Sequence, residues 1–171
     1  MAKILSSDYS STGRARIDRQ PFSVLVVDDE PMIRRMLAVI LSEWGCEVLS
    51  AEDGEEALDY IFAQRKFSDR SRFPAPDLVL LDLRLPRLDG IEVLKQVKNH
   101  PATRQLPVVV LTTSDAEHDL DRVIRLHADR FLTKPVDAQT VKRLLLDFGL
   151  LSVPGATGNN HSAMTLNIPP A

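Results

Sequence analysis

The chain has 171 residues, 44% of them hydrophobic, enough for a single domain with its own core and loose ends. A formal net charge of -3 gives no basic excess that would make nucleic acid a default partner, and no run reaches the ~18 consecutive apolar residues of a membrane span. The lone Cys46 excludes an internal disulfide and a thiolate metal cluster, and with no apolar signal segment in residues 1–20 the expected location is cytoplasmic.

Residues 1–20 are Ser-rich, mixed in charge and without a sustained period, and are expected to form a mobile tail ahead of a domain spanning 21–150. The first predicted strand is "FSVLVV" (22–27). A helix should follow it, with Pro31 in its first turn, Ile33, Leu37, Ile40, Leu41 and Trp44 on one face, and Gly45 as its stop. "EVLSA" (47–51) is the second strand; Asp53 and Glu56 have capping-box spacing for the helix after it. The segment from Arg65 to Pro76 carries four basic residues against one acid and reads as a solvated loop. "LVLL" (78–81) and "VVVL" (108–111) are almost wholly apolar, as parallel strands covered on both faces should be, and "RFLT" (130–133) is the fifth strand. Asp89 with Glu92 and Ser114 with Glu117 repeat the capping spacing, and Val141, Leu144, Leu145 and Phe148 stripe the last helix. The final twenty residues hold no Lys, Arg, Asp or Glu and are expected to form a second tail or an arm over 151–171. Strands alternating with helices imply right-handed βαβ crossovers, hence a doubly wound five-stranded parallel sheet in a three-layer α/β sandwich.

In such a sheet ligands bind beyond the carboxyl ends of the strands, where the strand order reverses. Asp28 and Asp29 follow the first strand, Asp82 the third, Thr112 the fourth and Lys134 the fifth, so the unusual polar residues share one edge. Asp also caps helices after strands, and any one of these residues alone would be unremarked. Together, three carboxylates without clustered His or Cys make a hard oxygen site suited to Mg²⁺ or Mn²⁺ rather than zinc. A divalent ion would neutralise the cluster and leave one carboxylate to act as a phosphoryl acceptor, with an ammonium and a hydroxyl to balance charge.

The set "VVDDEP", "LLDLRLPRLDG", "VVVLTTS" and "FLTKP", in this order and spacing, resembles the receiver domain of two-component response regulators over roughly residues 22–148. The resemblance implies a flavodoxin-like (βα)5 fold and a signalling phosphoacceptor rather than an enzyme. It makes Asp82 the phosphoacceptor, Asp29 a direct Mg²⁺ ligand, Asp28 a ligand acting largely through water, and Arg84 the position offering its backbone carbonyl to the metal. Thr112 would be the switch hydroxyl, Lys134 the phosphate-binding lysine, and Phe131 the aromatic switch, with a cis Lys134-Pro135 joint. The implied partner is a sensor histidine kinase. A narrower similarity, to the small stand-alone regulators paired with phytochrome histidine kinases, points to a phytochrome as that kinase, and a homodimer is a further expected contact. Phosphorelay intermediate, phosphate sink and receiver-like scaffold without phosphate are the alternatives. Three positions depart from the pattern: Arg84 where many receivers are neutral, Phe131 for the common Tyr, and His127 for a frequent Gly.

Two other classes fit the residues worse. A hydrolase working through aspartyl phosphate would carry a second Asp two residues beyond the nucleophile, where this chain has Arg84. A flavin or nucleotide carrier would need a Gly, Ser or Thr loop after the first strand, and "DDEP" repels phosphate without a metal.

Overall fold

A computed structural model describes residues 21–113 and 117–151, with the side chains of 117–120 left out of the description. The expected tails and the Ser114 cap lie outside the described residues. The five strands are β1 (Ser23–Val27), β2 (Glu47–Ala51), β3 (Leu78–Asp82), β4 (Val108–Thr112) and β5 (Arg130–Thr133). The α-helices are α1 (Pro31–Glu43), α2 (Gly54–Ile61), α3 (Gly90–Asn99), α4 (Glu117–Arg125) and α5 (Ala138–Asp147). All strand pairs are parallel and the order is β2-β1-β3-β4-β5, the doubly wound, flavodoxin-like arrangement that the sequence predicts. Its switch point lies between β1 and β3.

The strands sort their side chains by parity into two cores. Leu25, Val27, Val79, Leu81, Val108 and Val110 pack under α2, α3 and α4, while Val24, Val26, Leu78, Leu80, Val109 and Leu111 pack under α1 and α5. The central strands β1, β3 and β4 are buried along their whole length, which is why their runs are apolar without alternation. Edge strand β5 is mostly exposed. Cys46 is buried in the α1/α5 core, where burial and then the charge of Asp77 push its thiol pKa up, in keeping with a packing role.

The Asp53 carboxylate accepts from the Glu56 N–H at 2.8 Å and the Asp89 carboxylate from the Ile91 N–H at 2.6 Å. The reciprocal halves of the two boxes differ from the expectation: Glu56 reaches the Glu52 N–H, one residue before the cap, and Glu92 faces Lys95 and Gln96 instead. The basic segment is also more than a solvated loop. Phe67 is buried against Tyr60 and Phe73, and Arg70 donates to the Ile61 carbonyl at 2.7 Å, so aromatic packing and a guanidinium tie the connection to the end of α2.

Four helices end in the same motif. After α1, α2, α4 and α5, the residues Gly45, Ala63, His127 and Gly149 sit at positive φ, and each donates its N–H back into the last turn. The odd His127 thereby gets its explanation: its backbone occupies the left-handed position that a glycine would take without strain. Ala63, at φ 55, bears the same steric cost. Ala63→Gly is expected to stabilise the protein by about 0.5–1 kcal/mol, the relief of Cβ strain exceeding the entropy of the freer unfolded chain. The urea midpoint should rise with an unchanged slope; a lower midpoint would contradict the left-handed cap.

Candidate phosphoryl and metal site

β1 and β3 are neighbours at the switch point, so the residues leaving their carboxyl ends must meet. Asp28 is fully buried and Asp82 is 6% exposed, while Asp29 is exposed at the mouth. One carboxylate oxygen from each of the three lies within 4.8 Å of the others. Such a cluster is unfavourable without a cation. The fifth strand supplies one: Lys134 Nζ lies 2.7 Å from Asp28 Oδ2 and 3.2 Å from Asp82 Oδ2. The Lys134 side chain is itself 12% exposed, and the Lys134-Pro135 bond is cis, as expected.

Local hydrogen bonds fix Asp28 further. Its Oδ1 accepts from the Glu30 N–H at 2.9 Å, an Asx turn into α1, and Arg34 Nη1 donates to its backbone carbonyl at 2.6 Å. Burial raises the Asp82 carboxyl pKa, Lys134 opposes that rise, the Asp28 charge adds to it, and a backbone hydrogen bond from Arg84 opposes it; the net position is above the usual aspartate value. For Lys134, burial works against the ammonium, but the hydrogen bond to Asp28 and the charges of Asp82 and Asp28 outweigh it and hold the pKa above the ordinary lysine value.

Thr112, 6% exposed at the end of β4, donates its hydroxyl to the Thr113 carbonyl at 3.0 Å. Phe131 on β5 stands 48% exposed, and Arg84 is exposed two residues past Asp82. The structure thus brings Asp28, Asp29, Asp82 and Lys134 into one group, with Arg84 two residues past Asp82 on the connection to α3.

Sequence reasoning missed three supporting residues. Arg34 lies six residues past Asp28, in the first turn of α1, and carries no signal beyond being a cation on that helix. Gly90 reads as a helix start, yet its role is steric: a Cβ there would lie 2.1 Å from the Asp82 carbonyl oxygen and 2.8 Å from Leu83 Cα. Arg87, in the same connection, contacts Asp53 across the β3–α3 and β2–α2 turns.

The fold and site define a doubly wound α/β domain with a hard-oxygen, cation-compatible cluster of carboxylates at its switch point. Residues 24–146 match the model of the response regulator receiver domain, and the chain belongs to that family. It is 37% identical over 125 residues to the probable methanogenesis regulatory protein FilR2 of Methanothrix harundinacea, covering 72% of this chain and 78% of that protein. It is likewise 37% identical over 116 residues to the response regulator Rcp1 of Synechocystis sp., covering 67% and 77%. The Mn²⁺-bound form of Rcp1 superposes with a TM-score of 0.66 at 33% identity, over 78% of this chain and 97% of that one. The bacteriophytochrome response regulator AtBRR superposes with a TM-score of 0.67 at 35% identity, over 79% and 97%. The similarity to phytochrome-associated regulators read from the motifs is therefore present in the structures as well. The chain spans only 44% of the length of longer transcriptional regulators that it also matches.

Removing the ammonium exposes the repulsion it masks. Lys134→Ala without divalent metal should lose about 3–5 kcal/mol at neutral pH, since it strips the partner from a buried pair. Adding Asp82→Asn should restore much of that loss, because it removes one of the facing charges. Urea unfolding of the two variants checks this; a Lys134→Ala protein as stable as wild type would contradict the pairing.

Proposed function

We propose that the chain is a response regulator that accepts a phosphoryl group on Asp82 from a partner histidine kinase and converts that charge into a changed protein-binding surface. The observation that carries this reading is the Lys134 ammonium held between Asp28 and Asp82 in a three-carboxylate cluster at the sheet's switch point. The donor set fits Mg²⁺ or Mn²⁺: three carboxylates close enough to share one small ion, with no His or Cys joining the cluster among the described residues. Asp28, Asp29 and Asp82 would hold it, with the Arg84 backbone carbonyl as a further oxygen. When bound, the ion supplies charge neutralisation for the carboxylates and for the incoming phosphoryl oxygens.

The chain's own residues do the rest. An Asp82 carboxylate oxygen bonds to phosphorus as the bond from phosphorus to the donor's imidazole nitrogen breaks, the imidazole leaving with the electron pair. Lys134, 3.2 Å from the Asp82 carboxylate, exchanges that carboxylate for a phosphoryl oxygen. Phosphorylation adds about -1.5 to -2 charges and new acceptor oxygens. The Thr112 hydroxyl, donating to the adjacent Thr113 carbonyl, trades that bond for a phosphoryl oxygen, and the exposed Phe131 ring turns toward the space it leaves.

Large apolar side chains are exposed where such a protein would touch others. Met32 (72%) and Val39 (58%) lie on α1, and Ile124 (58%) and Phe131 on α4 and β5. We assign protein contacts as the readout: the histidine kinase, with a phytochrome kinase the favoured candidate from the neighbouring regulators, and a homodimer or downstream target.

Incubation with Mg²⁺ and acetyl phosphate, followed by intact-mass measurement, should show one added phosphoryl group in the wild type and none in Asp82→Asn. Thr112→Ala should retain the acceptor but take up phosphate more slowly, by about 10²-fold as for loss of one stabilising donor. Absence of any mass gain in the wild type would count against the reading, and a gain persisting in Asp82→Asn would move the acceptor elsewhere.

A further inference from the structure

The connection between β3 and α3, residues 83–89, touches the acidic site at both ends. At its start Leu83 directly follows Asp82 and its carbonyl accepts from the Gly90 N–H at 2.9 Å; just past its end Gly90 lies so close to the Asp82 carbonyl oxygen that no Cβ fits. The connection therefore packs directly on the backbone that carries the Asp82 carboxylate. The Gly90–Leu83 bond closes the base of the connection, while the bonds within its outer part are short in span: Leu85 N–H to the Leu83 carbonyl at 3.2 Å and Leu88 N–H to the Pro86 carbonyl at 2.7 Å.

Its outer part is held by Leu85 and Leu88 packed against the core and by a clamp onto the start of α2. Arg87 sits in the left-handed region at φ 64, and its guanidinium meets the carboxylate of Asp53, with Glu52 at 3.5 Å. Asp53 is the N-cap of α2 and is fully buried; one of its oxygens accepts the Glu56 N–H, and Arg87 faces the other. The next residue, Leu88, presses its carbonyl where a Cβ on Gly54 would lie, 2.1 Å away, so the two turns are in backbone contact. An exposed ion pair would carry little weight. Here one partner is buried, and losing Arg87 would leave its charge with the cap hydrogen bond alone.

We propose that Arg87 is a positioning residue for the cation site, and that through its pair with Asp53 it fixes the 83–89 connection so that the Asp82 carboxylate faces Asp28 and Asp29. The backbone strain at Arg87 is tolerated because the clamp requires a side chain at that place. This inference rests on the metal-dependent reading above and deepens it.

The test is Mg²⁺ binding by titration calorimetry of the full chain, together with thermal unfolding, for wild type, Arg87→Gly, Asp53→Asn and the double variant. Glycine removes the charge and relieves the positive φ, and asparagine keeps the helix cap while removing the carboxylate charge. Each single variant should bind Mg²⁺ about tenfold more weakly, as outer-shell partners of metal ligands do, and the double variant no more weakly than either single, because both act through one contact. A purely structural clamp would lower the unfolding temperature and leave Mg²⁺ affinity unmoved. Affinities within twofold of wild type, or losses that add in the double variant, would overturn the inference while leaving the metal site intact. A wild type that does not bind Mg²⁺ at all would overturn the functional reading, and the inference with it.

Discussion

The arrangement depends on one ammonium. Lys134, at the end of β5, lies within hydrogen-bond reach of Asp28, 106 residues away at the end of β1, and beside Asp82 at the end of β3. Two nearly buried carboxylates can face each other there only because a cation from a third strand lies between them. The doubly wound order makes this meeting possible, since it puts β1 and β3 side by side at the reversal and brings β5 round on the β4 side. Sheet topology, charge balance and the proposed chemistry are therefore one constraint seen at three scales.

Burial gives the cluster its force. In solvent these charges would interact weakly, but Asp28 has no exposed surface, and the apolar residues of β1 and β3 run directly up to it and to Asp82. The same burial that makes an unpaired carboxylate costly makes a small divalent ion, or a transferred phosphoryl group, a strong perturbation of the local balance. A buried site with three carboxylates around a single ammonium redistributes its contacts when its charge changes, and Thr112 and Phe131 lie on the two strands next in line to feel it.

Much of this was legible in the sequence, for identifiable reasons. β1, β3 and β4 are wholly buried, so they appear as unbroken apolar runs, and the polar residue ending each run marks the ligand edge. The sequence alone thus puts Asp28, Asp82 and Lys134 on one edge of the sheet. The local caps were half legible: Asp53 and Asp89 cap their helices, but the carboxylates three residues on found other partners because Lys66, Lys95 and Gln96 were nearby. Contacts between turns left no trace in periodicity. Arg87 on Asp53, the Gly90 approach to Asp82 and the aromatic packing of Tyr60, Phe67 and Phe73 each join segments whose spacing follows no repeat, and the basic composition of residues 65–76 concealed that its phenylalanines are what anchor it. His127 looked anomalous for the opposite reason, since a positive φ is set by the helix end and not by the side chain.

Two acidic groups among the described residues are close enough to hold an ion, Asp28 with Asp29 and Asp82, and Glu52 with Asp53 and Glu56. The second has two cations, Lys66 and Arg87, for its three carboxylates, whereas the first has three carboxylates against the single Lys134. Crystals soaked in Mn²⁺ and measured at its absorption edge separate the two directly. The account predicts an anomalous peak among Asp28, Asp29 and Asp82; a peak at Glu52, Asp53 and Glu56 alone, or none at the switch point, would contradict it.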